Sequence, residues 1–248
     1  MLEELMSQAF WIGLAKIIGV NVILSGDNAV VIALAARSLP ASQQKKAVFW
    51  GAGAAVILRI ILTIFAAALL TLPWLKIIGS LLLFWIGVKL LIPEEGDDDI
   101  KASDQLFAAI KTILIADLVM SLDNVIAVAA AAGGSYVLLI LGLAISIPLV
   151  IFGATLLIKL MERFPVIITL GAGLIGWVAG EMLVADQALK GWLSPMGIEY
   201  RGEQPYAGGW SLEIIAAVIG FAIVVVVGKW LGARQAQAHG EVPADAQK

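Results

Sequence analysis

The chain has 248 residues, of which 61% are hydrophobic and only 14% charged, with a mean hydropathy of +0.98 and a net charge of −3. A soluble domain carries about a quarter charged residues, so this composition points instead to an all-α, polytopic transmembrane helical bundle. The small negative charge gives no reason to expect a nucleic-acid partner. The lack of cysteine excludes disulfides, iron–sulfur clusters and thiolate metal sites.

The first residues carry Glu3 and Glu4 where a secretory signal would carry basic groups, so no cleaved peptide is expected. A membrane-crossing helix needs about 20 apolar residues. Seven such spans are expected, at 10–36, 47–72, 74–92, 106–132, 136–158, 165–185 and 211–231. Pro73 separates the second from the third. Gly133, Gly134 and Ser135 separate the fourth from the fifth. Trp11, Trp50, Trp74, Trp192, Trp210 and Trp230 fall at or beside span ends, where amphipathic rings prefer the interface. Trp85 and Trp177 fall inside spans and read as packing residues.

Residues 93–105 form an acidic linker with Glu94, Glu95 and Asp97 to Asp99, and 186–210 form a Gly-, Pro- and polar-rich loop. After the seventh helix, taken as 211–232, residues 233–248 read as a disordered tail containing the lone His239. With the N-terminus outside, the inner segments hold nine of the Lys and Arg residues counted and the outer loops three: Lys76, Lys190 and Arg201. The positive-inside rule then gives N-out, C-in. The acidic linker is cytoplasmic on that reading and the 186–210 loop extracytoplasmic.

The chain repeats itself. SGDNAVVIALAA (25–36) and SLDNVIAVAAAA (121–132) agree at six of twelve positions, and Asp27 meets Asp123 at an offset of 96. Pro73 and Pro165, Gly79 and Gly171, and Trp85 and Trp177 recur at an offset of 92. The first repeat lies within residues 1–92 and the second within 106–185, with three helices each. An odd number of spans per repeat inverts the second copy in the bilayer. That is a transporter plan with a midplane site at the repeat interface.

The intramembrane acids are the candidate site. Asp27, Asp117, Asp123 and Glu181 fall in apolar spans, where a carboxylate costs about 2.5–3.5 kcal/mol on insertion scales unless something stabilises it. Asp117, Ser121 and Asn124 share a helix face, and Asn21, Ser25 and Asn28 match them in the first repeat. Unwinding at Ser25 to Asn28, which Gly26 would permit, would converge carboxylate, amide and carbonyl oxygens. Such donors suit Mg²⁺, Ca²⁺ or Mn²⁺ over zinc or copper. The rival reading is a structural polar network that glues helices together. Asp117 has a second reading as the partner of Arg59, itself read as a counter-charge. Lys89 is expected to snorkel to the cytoplasmic interface. Asp186 and Glu213 read as ordinary interface residues.

The motifs SGDNAVVIALAARSLP (25–40) and ADLVMSLDNVIAVAAAA (116–132) resemble those of the TerC family of integral membrane proteins, across about residues 8–232. The resemblance implies a seven-helix inner-membrane protein that exports Mn²⁺. It carries the family's acidic site onto Asp27 and Asp123, with Asp117 and Glu181 as further members. The expected function is divalent-metal export by alternating access, with Asp27, Asn28, Asp117, Asp123, Asn124 and Glu181 as metal ligands. No resident cofactor and no enzymatic activity are expected. The expected partners are the metal ion and the lipid bilayer, with a homo-oligomer left open. An exporter of small organic solutes such as amino acids, and a membrane-embedded assembly factor, are the alternatives.

Overall fold

A computed structural model describes residues 8–65, 72–92, 102–201 and 204–238. The apolar runs form helices: α1 (Gln8–Leu24), α2 (Gly26–Ala36), α3 (Ala41–Ile64), α4 (Leu75–Leu91), α5 (Ala102–Ala132), α6 (Tyr136–Arg163) and α7 (Val166–Val184). After the short α8 (Lys190–Leu193) and three strands comes α9 (Leu212–Ala238). The protein is an all-α polytopic bundle, as composition requires. Five of these helices are long and apolar enough to cross a membrane, and α1 with α2, bent by 51°, makes a sixth. Of the seven expected spans, the remaining one corresponds to α4. Its 17 residues extend only about 26 Å at 1.5 Å per residue, the short limit for a span. Glu94, Glu95, Asp97 to Asp99 and His239 lie outside the described residues, while Asp104 at the end of the linker falls in the first turn of α5.

The chain divides into two compact units, residues 1–72 with 99–163, and residues 73–98 with 164–248. In the first, α3 lies along α5, while α1 and α2 lie along α6. Each contact therefore joins a helix of one repeat to a helix of the other. The detail is reciprocal. A Cβ on Gly51 of α3 would come within 2.8 Å of Ile113 on α5, and one on Gly142 of α6 would collide with Ile17 on α1. Ile17 and Ile113 are repeat-matched at an offset of 96, and Gly51 and Gly142 pair at 91. Two copies of one unit related by a two-fold axis would make such contacts. Around Ile17 the core closes with Val56, Val128, Leu139 and Leu143.

The second unit packs α4 and α9 against α7. Here Gly173, Gly176 and Gly180 of α7 meet Phe221, Gly220 and the Ala216 carbonyl of α9, so the two backbones nearly touch. Small residues are how membrane helices gain such close contact. The segment expected to be a plain loop is structured. Strands β1 (Ile198–Arg201), β2 (Gln204–Ala207) and β3 (Trp210–Ser211) form an antiparallel sheet in the order β1-β2-β3. Strands of four, four and two residues are too short to leave an alternating pattern in the sequence. Likewise α9 continues to Ala238, past the point where the tail was expected to begin.

Asp186 is not an ordinary interface residue. It is buried, and its Oδ1 accepts from the backbone N–H of Trp74 (3.1 Å) and Ala188 (2.8 Å), its Oδ2 from Lys76 (3.0 Å) and Ile77 (3.2 Å). Its carboxylate thus sits on the N-terminus of α4, where a helix offers unpaired donors and positive potential. Trp74, the residue entering that helix, has a left-handed backbone with φ 70°.

Candidate cation site in the first compact unit

The site begins with the interruption at Ser25. In the second repeat the matched tetrapeptide is SLDN, and α5 runs unbroken through it. In the first repeat Gly26 replaces the leucine, and the helix bends by 51° between Leu24 and Gly26. Glycine gives up about 1 kcal/mol of helical preference relative to alanine. The hydroxyl of Ser25 does not cap α2. It turns back, donating to Asn21 Oδ1 (3.3 Å) and accepting from Arg59 Nη1 (2.8 Å).

Among the described residues, Arg59, Asp117 and Asp186 are the buried charged side chains. Arg59 projects from α3 into the oxygen-rich stripes of both repeats. Its Nη2 donates to Asp117 Oδ1 in a buried ion pair. Its Nε donates to Ser121 Oγ at 2.9 Å, and its Nη1 also donates to Asn21 Oδ1 at 2.8 Å. Ser121 Oγ in turn donates to Asp117 Oδ2 at 3.2 Å. Both matched polar pairs, Asn21 with Ser25 and Asp117 with Ser121, therefore meet on one guanidinium. The second reading of Asp117, as the partner of Arg59, is the one the geometry shows, and it commits a carboxylate first read as a metal ligand to that guanidinium. Sequence reading did not find the bonds from Arg59 to Asn21, Ser25 and Ser121, although all three lay on the stripes it identified.

Asp27 follows the break directly and is partly exposed. Its Oδ1 accepts the backbone N–H of Asn28 at 2.8 Å. Asn28 is 2% exposed, and neither its Oδ1 nor its Nδ2 has a hydrogen-bond partner. The Nδ2 of the buried Asn21 is also unpartnered. Buried polar groups almost always have partners, so this amide keeps both an acceptor and a donor available beside the break. From α5, Asn124 Nδ2 donates to the Leu24 carbonyl at 3.1 Å, which pins the break to the second repeat. Asp123 has its backbone in α5, but its side chain lies outside the described ones. Glu181 lies in the second unit, on α7, and accepts from Trp177 Nε1 at 2.8 Å. No group of three or more His, Cys, Asp or Glu side chains that could hold a metal occurs among the described residues. Any cation held here would draw on amide and carbonyl oxygens as well as carboxylates.

These features define a polytopic membrane protein with an internal repeat, a broken first span and a buried polar cluster beside the break. Family comparison places it further. The model of the integral membrane protein TerC family matches residues 6–236, and the chain belongs to that family. It is 43% identical over 192 residues to the "Uncharacterized membrane protein YjbE" of Bacillus subtilis, covering 77% of this chain and 88% of that one. It is also 27% identical over 239 residues to the "Uncharacterized membrane protein YceF" of the same organism, covering 91% and 84%. No solved structure matches.

Proposed function

We propose that this protein exports divalent metal ions, with Mn²⁺ the leading substrate, by alternating access through a cation site at the broken helix. The carrying observation is Asn28, buried with both polar atoms unpartnered beside the Asp27 carboxylate. Irregular backbone at membrane depth is tolerated where it lines a cavity, and transporters use such breaks to offer carbonyls to cations. Asp27 supplies charge, and Asn28 with carbonyls at the break supplies neutral oxygens. Asp123 is the proposed second carboxylate, by its repeat match to Asp27. An all-oxygen set favours hard cations.

In this proposal the ion enters from the cytoplasm, exchanges water for these oxygens, and leaves outside when the repeats change their relation. The membrane is the inner (plasma) membrane, with the N-terminus out and the C-terminus in. No enzymatic step is involved. Asp117 is outside the ligand set because Arg59 already neutralises it. The proposal does not require Glu181. Export of organic solutes such as amino acids is less well supported. It needs a cationic anchor for a carboxylate, and the guanidinium of Arg59 is already bonded to four side chains.

The test is Mn²⁺ uptake into everted vesicles, or efflux from proteoliposomes, with Mg²⁺, Ca²⁺ and Fe²⁺ as competitors. Saturable Mn²⁺ movement lost in Asp27→Asn supports the proposal. Wild-type protein that folds but moves no divalent ion defeats it.

A further inference from the structure

The two polar stripes differ in charge. The first repeat supplies Asn21 and Ser25, the second Asp117 and Ser121. Arg59 has no counterpart, since at the offset of 91 that pairs Gly51 with Gly142 its matched position is Val150. The extra carboxylate and the extra guanidinium are thus both departures from the repeat, and they are bonded to each other. The same guanidinium holds Ser25, the residue of the break, two positions before Asp27. Both Arg59 and Asp117 lie within electrostatic reach of Asp27.

We infer that Arg59 and Asp117 form a charge-balancing pair that sets the affinity of the neighbouring cation site, with Arg59 as a positioning residue that also ties the break to α5. This rests on the proposed cation site at Asp27 and Asn28. Neither residue touches the transported ion. Together they add no net charge beside it, so the ion meets the acids of the site alone. Removing one partner unbalances the neighbourhood. A lone Asp117 carboxylate tightens cation binding and slows release. A lone guanidinium repels the cation. Removing both restores the balance. The fork of Arg59 serves four acceptors at once, which a lysine ammonium cannot reproduce.

The experiment measures Mn²⁺ binding to purified protein, from the electron paramagnetic resonance of free Mn²⁺, alongside KM and kcat for efflux. The variants are Arg59→Gln, Asp117→Asn and the double variant. Arg59→Gln should bind Mn²⁺ about a hundredfold more tightly with a lower kcat, and Asp117→Asn about a hundredfold more weakly. That is the order of a unit charge acting on a divalent ion over roughly 10 Å at an effective dielectric near 20. The double variant should return to within about threefold of wild type. A purely structural role would lower the yield of folded protein and leave the affinity of what folds unchanged, and that result overturns the inference. Should Arg59→Gln fail to fold, weak binding by Asp117→Asn and its recovery in the double variant still support it, and equal affinities still overturn it. Failure of wild type itself to bind Mn²⁺ removes the cation-site reading and this inference with it. Ordinary wild-type binding with an unordered series removes this inference alone.

Discussion

Asn124 reaches from α5 to the carbonyl of Leu24, the last residue before the break in the first span. Its repeat-matched counterpart Asn28 stands on the other side of that break with no partner for its side-chain amide. Two residues equivalent by sequence therefore have different tasks. One fastens the interruption and the other is left open beside Asp27. The difference traces to Gly26 against Leu122, one position before each aspartate.

Asp27→Asn and Asp123→Asn keep side-chain size and remove charge. Neither change alters the length or branching of the side chain, and an amide oxygen at position 27 can still accept the Asn28 N–H, so each variant should fold as well as wild type. Mn²⁺ transport should fall to background. Normal export by a well-folded double variant would defeat the cation-site proposal.

Gly26 has open space where a Cβ would go and no positive φ. Alanine there should be accepted, stabilising the helix by up to about 1 kcal/mol. Gly26→Leu recreates the SLDN of the second repeat and should straighten the span. Thermal melts of both variants should match or exceed wild type while transport slows. Full-rate transport by Gly26→Leu would show that the break is not needed.

Gly142 and Gly180 are tight for steric reasons. Gly142→Val drives a side chain into Ile17, and Gly180→Val into the Ala216 carbonyl. Overpacking of this kind costs about 1–3 kcal/mol, and more where backbone must move. Each variant should lower the melting temperature in detergent, whereas Gly53→Ala, with nothing within 4 Å, should not.

Asp186→Ala leaves the N–H groups of Trp74, Lys76, Ile77 and Ala188 without their acceptor. Charge-assisted bonds are each worth about 1.5–3 kcal/mol before any replacement by water. A net loss of about 2–3 kcal/mol is expected, with Asp186→Asn milder. Unchanged melting of Asp186→Ala would mean that water replaces the carboxylate without cost.

A reporter fused after Lys248 should be active only in its cytoplasmic form. Periplasmic activity there would reverse the proposed orientation.

The sequence made much of this legible. Continuous apolar runs locate the helices because a bilayer leaves few alternatives. The paired SxDN motifs locate the repeat, and Gly26 locates the break. The pairing of helices was less accessible. Three consecutive spans look like a unit along the chain, yet α3 packs on α5 and α1 on α6. That choice depends on surface fit, such as Gly51 under Ile113, which hydropathy does not record. Asp186 escaped for a similar reason. Its donors around Trp74 lie about 110 residues upstream, and backbone N–H groups carry no sequence signature.

The Arg59 cluster has a consequence for biosynthesis. Arg59 is made 58 residues before Asp117, an interval of about 3–12 s at ordinary elongation rates. During that time α3 enters the membrane with a guanidinium in its last third whose acid has not yet been synthesised. An arginine at the very centre of a span would cost about 2.5–3.5 kcal/mol on insertion scales. Asn21 and Ser25 are already present and offer interim acceptors from the preceding span. The first two spans therefore have reason to leave the translocon together, held by a neutral hydrogen-bonded arginine contact that matures into an ion pair when α5 arrives.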